Sequence, residues 1–293
     1  MSASRFGLLW GFVGVLAFSL TLPLTRVAVG GLSPLLIGSG RAVVAALLAA
    51  LVLGVTRQRR PRGPQWWRLA LVAAGVVAGF PLLTSYALTT ASASHGAVVI
   101  ALLPAATAVF AVLRGHERPP LPFWVFAALG AVAAVAFASL QADGFGPPVW
   151  TDLLFFGAVI AAALGYSEGA LLSRELGAWQ TISWALVLAA PVMAVLTVIA
   201  WVQQPPDANG VEWASFAYLA AVSMFLGFFA WYRGLAIGPV ARVSQVQLVQ
   251  PVMTLAWAAL LLGEELTLPL LLGGLVVILC AGLAVRVRLR PSR

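Results

Sequence analysis

The chain has 293 residues, 62% hydrophobic and 9% charged, with a net charge of +8. Water-soluble domains carry about 25% charged residues, so a chain this poor in charge cannot clothe its surface in water, and its natural solvent is a bilayer. The positive balance marks cytoplasmic loops rather than a nucleic-acid footprint, and the single cysteine, Cys280, excludes an internal disulfide framework.

A crossing needs about 20 apolar residues. The opening stretch MSASRFGLLWGFVGVLAFSL resembles a signal peptide, but the apolar run continues to Val29 and carries no small-x-small cleavage signal. It is read as the first span, 7–29. The second, 33–55, and third, 67–89, flank TRQRRPRGPQWWR, whose Arg57, Arg59, Arg60, Arg62 and Arg68 assign that loop, and hence the N-terminus, to the cytoplasm. The remaining predicted spans are 93–113, 121–141, 152–172, 178–201, 213–236, 239–262 and 268–287. Alternation through ten spans places Arg114, Arg118, Arg174 and the arginine-rich tail inside, and Asp143, Asp152, Asp207, Glu212, Glu264 and Glu265 outside. Trp66, Trp67, Trp150, Trp201 and Trp213 fall at the expected interfaces.

Polar residues within the spans are the candidates for function, because hydrocarbon penalises them. Arg26 and Arg41 lie toward the outer face, placed to pair with outer acids or to attract a carboxylate. Tyr86 and His95 flank the outer turn TASAS. His95 suits a carboxylate or a proton, or simply a nearby carbonyl. In the sixth span, GYSEG holds Tyr166 and Glu168. Glu168 is the only acid predicted inside a span, a candidate for proton coupling or for an inner-gate ion pair with Arg174 or Arg233. Trp231 and Arg233 end the eighth span as inner-gate packing. In the ninth, Ser244, Gln247, Gln250, Pro251 and Thr254 form one polar stripe at 100° per residue. The matching stripe of the fourth span is Ala97, Ile100, Leu103, Pro104 and Thr107, nearly all apolar. If the two face each other, one wall hydrogen-bonds and the other does not, which suits an amphipathic solute. The alternative is that the glutamines glue helices together.

ALLPAATAVFAVLRGHERPPLP and LVQPVMTLAWAALLLGEELTLP repeat one pattern 147 residues apart: Pro104 with Pro251, Thr107 with Thr254, Glu117 with Glu264. Ten spans divide into two fives, and an odd number inverts the second half, giving units 1–145 and 146–293. Pro104 and Pro251 fall near the midplane, where a proline removes one helical hydrogen bond and bends its helix.

With SPLLIGSGRAVVAALLAALVL in the second span and the Pro-Thr-Gly-Glu pattern closing the fourth and ninth, the chain resembles the ten-helix EamA type of the drug/metabolite transporter superfamily. Within it the chain looks most like bacterial exporters of aromatic and neutral amino acids, the YddG type. The second half departs from the pattern, with TISWALVLAAP where SPLLIGSGRA has no counterpart. The resemblance implies a monomeric, multi-pass protein of the bacterial inner membrane, with both termini cytoplasmic. It implies alternating access for an amino acid or similar small metabolite, with drugs, sugars and nucleotide-type solutes as the alternative. Tyr86, His95, Tyr166, Ser244, Gln247 and Gln250 are the expected substrate contacts. No HExxH, acidic metal cluster, Cys/His ligand set or phosphate-binding loop occurs, so no enzyme activity, metal or cofactor is expected.

Overall fold

The computed structural model describes residues 3–115, 120–141, 150–237, 243 and 245–288. Among the described residues there is no strand. Glu117 and Ser244, singled out above, lie outside them.

In chain order α1 is Ala3–Ser19 and Thr21–Ala28, α2 is Pro34–Val55, and α3 is Gln65–Val72, a wide-turned π segment Ala73–Gly79, and Phe80–Ala87. Next come α4 (Ala93–Ile100 and Leu103–Gly115), α5 (Leu121–Gln141), α6 (Trp150–Glu175) and α7 (Ala178–Gln203). They are followed by α8 (Gly210–Tyr218, π segment Leu219–Leu226, Gly227–Ile237), α9 (a 3-10 turn Gln245–Val249, then Gln250–Leu262) and α10 (Leu268–Arg288). Among the described residues, seven helices are long and apolar enough to cross a membrane: Phe6–Ala28, Pro34–Val55, Gln65–Ala87, Ala93–Phe110, Trp150–Glu175, Ala178–Gln203 and Gly210–Ile237. Leu121–Ala134, Val246–Leu262 and Leu268–Leu283 are shorter apolar helices.

The outside of the bundle is apolar. Leu47, Leu51 and Val55 on α2, and Val192, Val195, Val198 and Val202 on α7, are all at least 60% exposed and follow helical spacing. Such stripes in water are aggregation sites; in lipid they are ordinary. Small residues face inward instead. Gly38, Ser39, Gly40, Ala42, Ala45, Ala46 and Ala49 of α2 are buried, and the α2 face packs on α7, with Thr197 Oγ1 donating to Ser39 Oγ at 3.0 Å. Small faces let helices approach closely where no hydrophobic force drives them together. The other main pairings are α1 with α8, α3 with α6, α4 with α6, α9 with α1, and α5 with α10.

Two expectations change. Pro104 and Pro251 do not bend continuous helices; each is the second residue of a helix that starts afresh, after a turn at 101–102 and after the 3-10 turn Gln245–Val249. At that position the missing proline N–H leaves no helical acceptor unpaired, so the chain ends one helix and begins another rather than straining a single one. Asp152 is not a loop acid: it lies in the first turn of α6 and is fully buried. The reason is its partner, His95, described below.

Candidate functional site

The irregular backbone converges. Thr21, just past the break in α1, shares a hydrogen bond of 2.8 Å between its Oγ1 and Ser223 Oγ in the π segment of α8. Thr254 Oγ1 donates to the Ser19 carbonyl at 2.9 Å, and Trp257 Nε1 donates to Ser19 Oγ at 3.0 Å, tying α9 to the same break. Breaks in membrane helices persist only where their freed polar groups find partners or line a cavity. Here they do both.

Two cavities adjoin at this level. The central one has an aromatic wall of Phe18, Phe80, Tyr166 and Phe228, with Ser223 and Gln250 among its polar lining and Arg41 at its edge. The rings interlock: Phe18 and Phe228 have centroids 4.9 Å apart, and Tyr166 lies 6.0 Å from Phe228. The second brings Ala97, Ile100 and Leu103 of α4 together with Gln247, Gln250, Pro251 and Thr254 of α9. Gln250 belongs to both. Both amide atoms of Gln247 and the Oε1 of Gln250 are buried without a hydrogen-bond partner. A buried amide left unpaired is unfavourable, so these atoms present free hydrogen-bonding capacity to whatever enters. Thr254, by contrast, already spends its hydroxyl on Ser19.

The remaining predicted residues are dispersed. Tyr166 lines the central cavity, and Trp231 packs against it with the rings tilted at 52° and centroids 5.6 Å apart, its Nε1 buried and unpartnered. Tyr86 lines neither cavity and is 43% exposed. His95 also lines neither; its Nε2 meets Asp152 Oδ1 at 2.5 Å. Arg26 Nη1 donates to the carbonyls of Leu88 and Thr89, at 2.7 and 2.9 Å, capping α3. At the same end Glu264 accepts from the backbone N–H groups of Ala93 and Ser94, both at 2.8 Å. Gly263, in the left-handed conformation at φ 66°, ends α9 and turns the chain so that this carboxylate reaches the start of α4.

The opposite end holds Glu168, with a partner other than the expected Arg174 or Arg233. Glu168 is fully buried and pairs with Arg68, which also binds Glu175. Arg174 is exposed, and Arg233 is exposed with its guanidinium 5.3 Å from the centroid of the Trp10 ring. The reason is helix placement: α3 packs along α6, so Arg68 at the start of α3 meets the C-terminal part of α6. Glu168 and Glu175 are seven residues apart, two turns on one helix face, and the long arginine side chain between them contacts both.

The model of the EamA-like transporter family matches residues 5–139 and residues 149–286. A protein of Bacillus subtilis (strain 168) named "Uncharacterized transporter YdeK" is 44% identical over 287 residues, covering 98% of this chain and 99% of its own length. "Uncharacterized transporter YvbV" of the same organism is 22% identical over 284 residues, covering 94% and 90%. A solved crystal structure aligns with a TM-score of 0.65 at 20% identity, over 97% of this chain and 98% of that one, a likeness of fold alone.

Proposed function

The chain belongs to the EamA-like transporter family of the drug/metabolite superfamily and is a multi-pass membrane protein, and on that premise we propose that it exports aromatic and other neutral amino acids, with related small metabolites, across the bacterial inner membrane by alternating access. The observation that carries the proposal is the pair of adjoining cavities, with rings on one side and unpartnered amides on the other. Apolar side chains stack on Phe18, Tyr166 and Phe228, while a polar head takes the hydrogen bonds of Gln247 and Gln250.

Alternating access rests on ten spans in two inverted units, 1–145 and 146–293. Several features support that reading. The family model matches once in each unit. The π segments Ala73–Gly79 and Leu219–Leu226 sit in the third helix of each unit. Leu103–Gly115 and Gln250–Leu262 are both 13 residues long and begin 147 positions apart. The helix pairings obey the same exchange: α1 with α8 mirrors α6 with α3, while α2 with α7 and α5 with α10 map onto themselves. Two like units related by an axis in the membrane plane can rock about one shared cavity and expose it to each side in turn. Single cysteines replacing Arg59 and Gln204, which follow α2 and α7, are expected to label from opposite faces of sealed vesicles; labelling from one face would remove the inversion.

The transport reading is tested in liposomes holding purified protein, by counterflow of radiolabelled phenylalanine against unlabelled amino acids, sugars and nucleosides. The double substitution Gln247→Leu, Gln250→Leu is expected to slow counterflow about thirtyfold, from the loss of two hydrogen bonds of roughly 1 kcal/mol each. The variant should still insert and run as folded protein, because leucine suits a helix in lipid. Unchanged counterflow would make the amides packing glue; counterflow by sugars or nucleosides alone would remove amino acids as the substrate.

A further inference from the structure

Arg41 is 1% exposed, deep in α2, at the edge of the central cavity. Its Nε is buried with no hydrogen-bond partner. Among the described residues no carboxylate forms an ion pair with it, and neither cavity has an Asp or Glu in its lining. A guanidinium keeps its charge, and its planar fork matches a carboxylate in a bidentate pair. A lone cation buried in a lipid-embedded bundle is unfavourable unless an anion joins it. Among the described residues the other buried or half-buried charges have partners: Glu168 and Glu175 hold Arg68, Asp152 holds His95, Arg26 caps α3, and Glu264 caps α4. Arg41 is the exception, and it is the one that faces the cavity.

We infer that Arg41 is the receptor for an anionic headgroup, so that the solute accepted by the central cavity is an amphipathic carboxylate. Its carboxylate takes the Arg41 fork, its apolar body lies against Phe18, Phe80 and Phe228, and Gln250 hydrogen-bonds whatever polar group projects toward the second cavity. This deepens the transport reading above and rests on it for the claim that the occupant is carried rather than merely held. The chemistry admits two sources: the carboxylate of a zwitterionic amino acid, or that of an acid without an amino group. With no acidic side chain in the lining, the cavity supplies no countercharge for an ammonium, so a carboxylate is required and an ammonium is not.

Four ligands separate these terms on the purified full-length protein, read as thermal protection and as competition for transport in liposomes: phenylalanine, 3-phenylpropionate, phenethylamine and phenylalaninamide. The two carboxylates are expected to protect and compete, and the two carboxylate-free amines to do neither. Arg41→Gln should raise the carboxylate concentration needed for half-protection by about tenfold or more, the effect of losing one charge-assisted hydrogen bond, while Arg41→Lys keeps part of the binding. If Arg41→Gln does not fold, the four-ligand series on the unaltered protein decides by itself. Equal protection by phenethylamine and phenylalanine, or half-protection unmoved in Arg41→Gln, overturns the inference. Protection by 3-phenylpropionate without phenylalanine sustains it while removing amino acids as the substrate. Carboxylate-selective protection with no counterflow of any ligand sustains it while removing transport of these ligands.

Discussion

Arg68→Ala is expected to lower the stability of the solubilised protein by about 3 kcal/mol or more, the loss seen when one member of a buried ion pair is removed. The size follows from the asymmetry of the pair. Glu168 is fully buried, whereas Arg68 reaches it from a side chain 21% exposed that also binds Glu175. Deleting the arginine strands a carboxylate among apolar helices. Glu168→Gln is milder, at about 1 kcal/mol, because its amide oxygen still accepts from the guanidinium. The double variant, Arg68→Ala with Glu168→Gln, should recover about 1 kcal/mol of the Arg68→Ala loss, since the stranded charge is gone. A coupling of about 2 kcal/mol in that cycle is the expected signature, and simple additivity to within about 0.5 kcal/mol would mean that the two groups do not act as a pair. Because the partners join α3 to α6, the pair reads as a structural tie between those two helices. Transport by Glu168→Gln should therefore keep its dependence on pH; loss of that dependence would restore proton coupling to Glu168.

The helices themselves were written plainly in the sequence, since long apolar runs and clustered arginines are properties of single segments. The opposed stripes of α4 and α9 were legible too, because helical periodicity puts Gln247, Gln250 and Thr254 on one side and Ala97, Ile100 and Leu103 on one side without knowledge of the neighbours. What escaped depends on which helix lies next to which. Arg68 reads as one of five loop arginines, because its reach to Glu168 and Glu175 depends on α3 lying along α6. Asp152 looked like a loop acid because burial by His95 is a tertiary fact. The π segments share the composition of the helices around them, so AAGVVAG and LAAVSMFL give no local sign of a wider turn. Arg41 carried its signal openly, a lone arginine within an apolar span, but only the surrounding cavity separates it from Arg26, which has the carbonyls of Leu88 and Thr89.

Gly75→Ala and Gly14→Ala are each expected to lower stability by about 2–3 kcal/mol, or to yield no folded monomer, through overpacking at contacts that cannot relax by rotating a side chain. A Cβ on Gly75 would stand 2.4 Å from the carbonyl oxygen of Ala161 and 2.9 Å from the Gly165 backbone nitrogen. One on Gly14 would stand 2.9 Å from the backbone nitrogen of Trp231. These obstacles are backbone on the facing helix, so α3 must back away from α6, or α1 from α8. Gly54→Ala is the control: a Cβ there meets nothing within 4 Å, and alanine in a helix interior should be neutral or stabilising by up to about 1 kcal/mol. The consequence reaches the cavity, whose walls include Val76, Phe80 and Pro81 of α3 and Ala162 and Tyr166 of α6. Moving α3 outward separates those walls, so a Gly75→Ala protein that does fold should bind ligand more weakly, by a margin Gly54→Ala does not show. Monomer yield by size exclusion, thermal midpoint and ligand protection, measured on all three variants, decide it. Gly75→Ala with the midpoint and ligand affinity of the unaltered protein would mean that α3 and α6 do not meet backbone to backbone, and the shape assigned to the central cavity would fall with that contact.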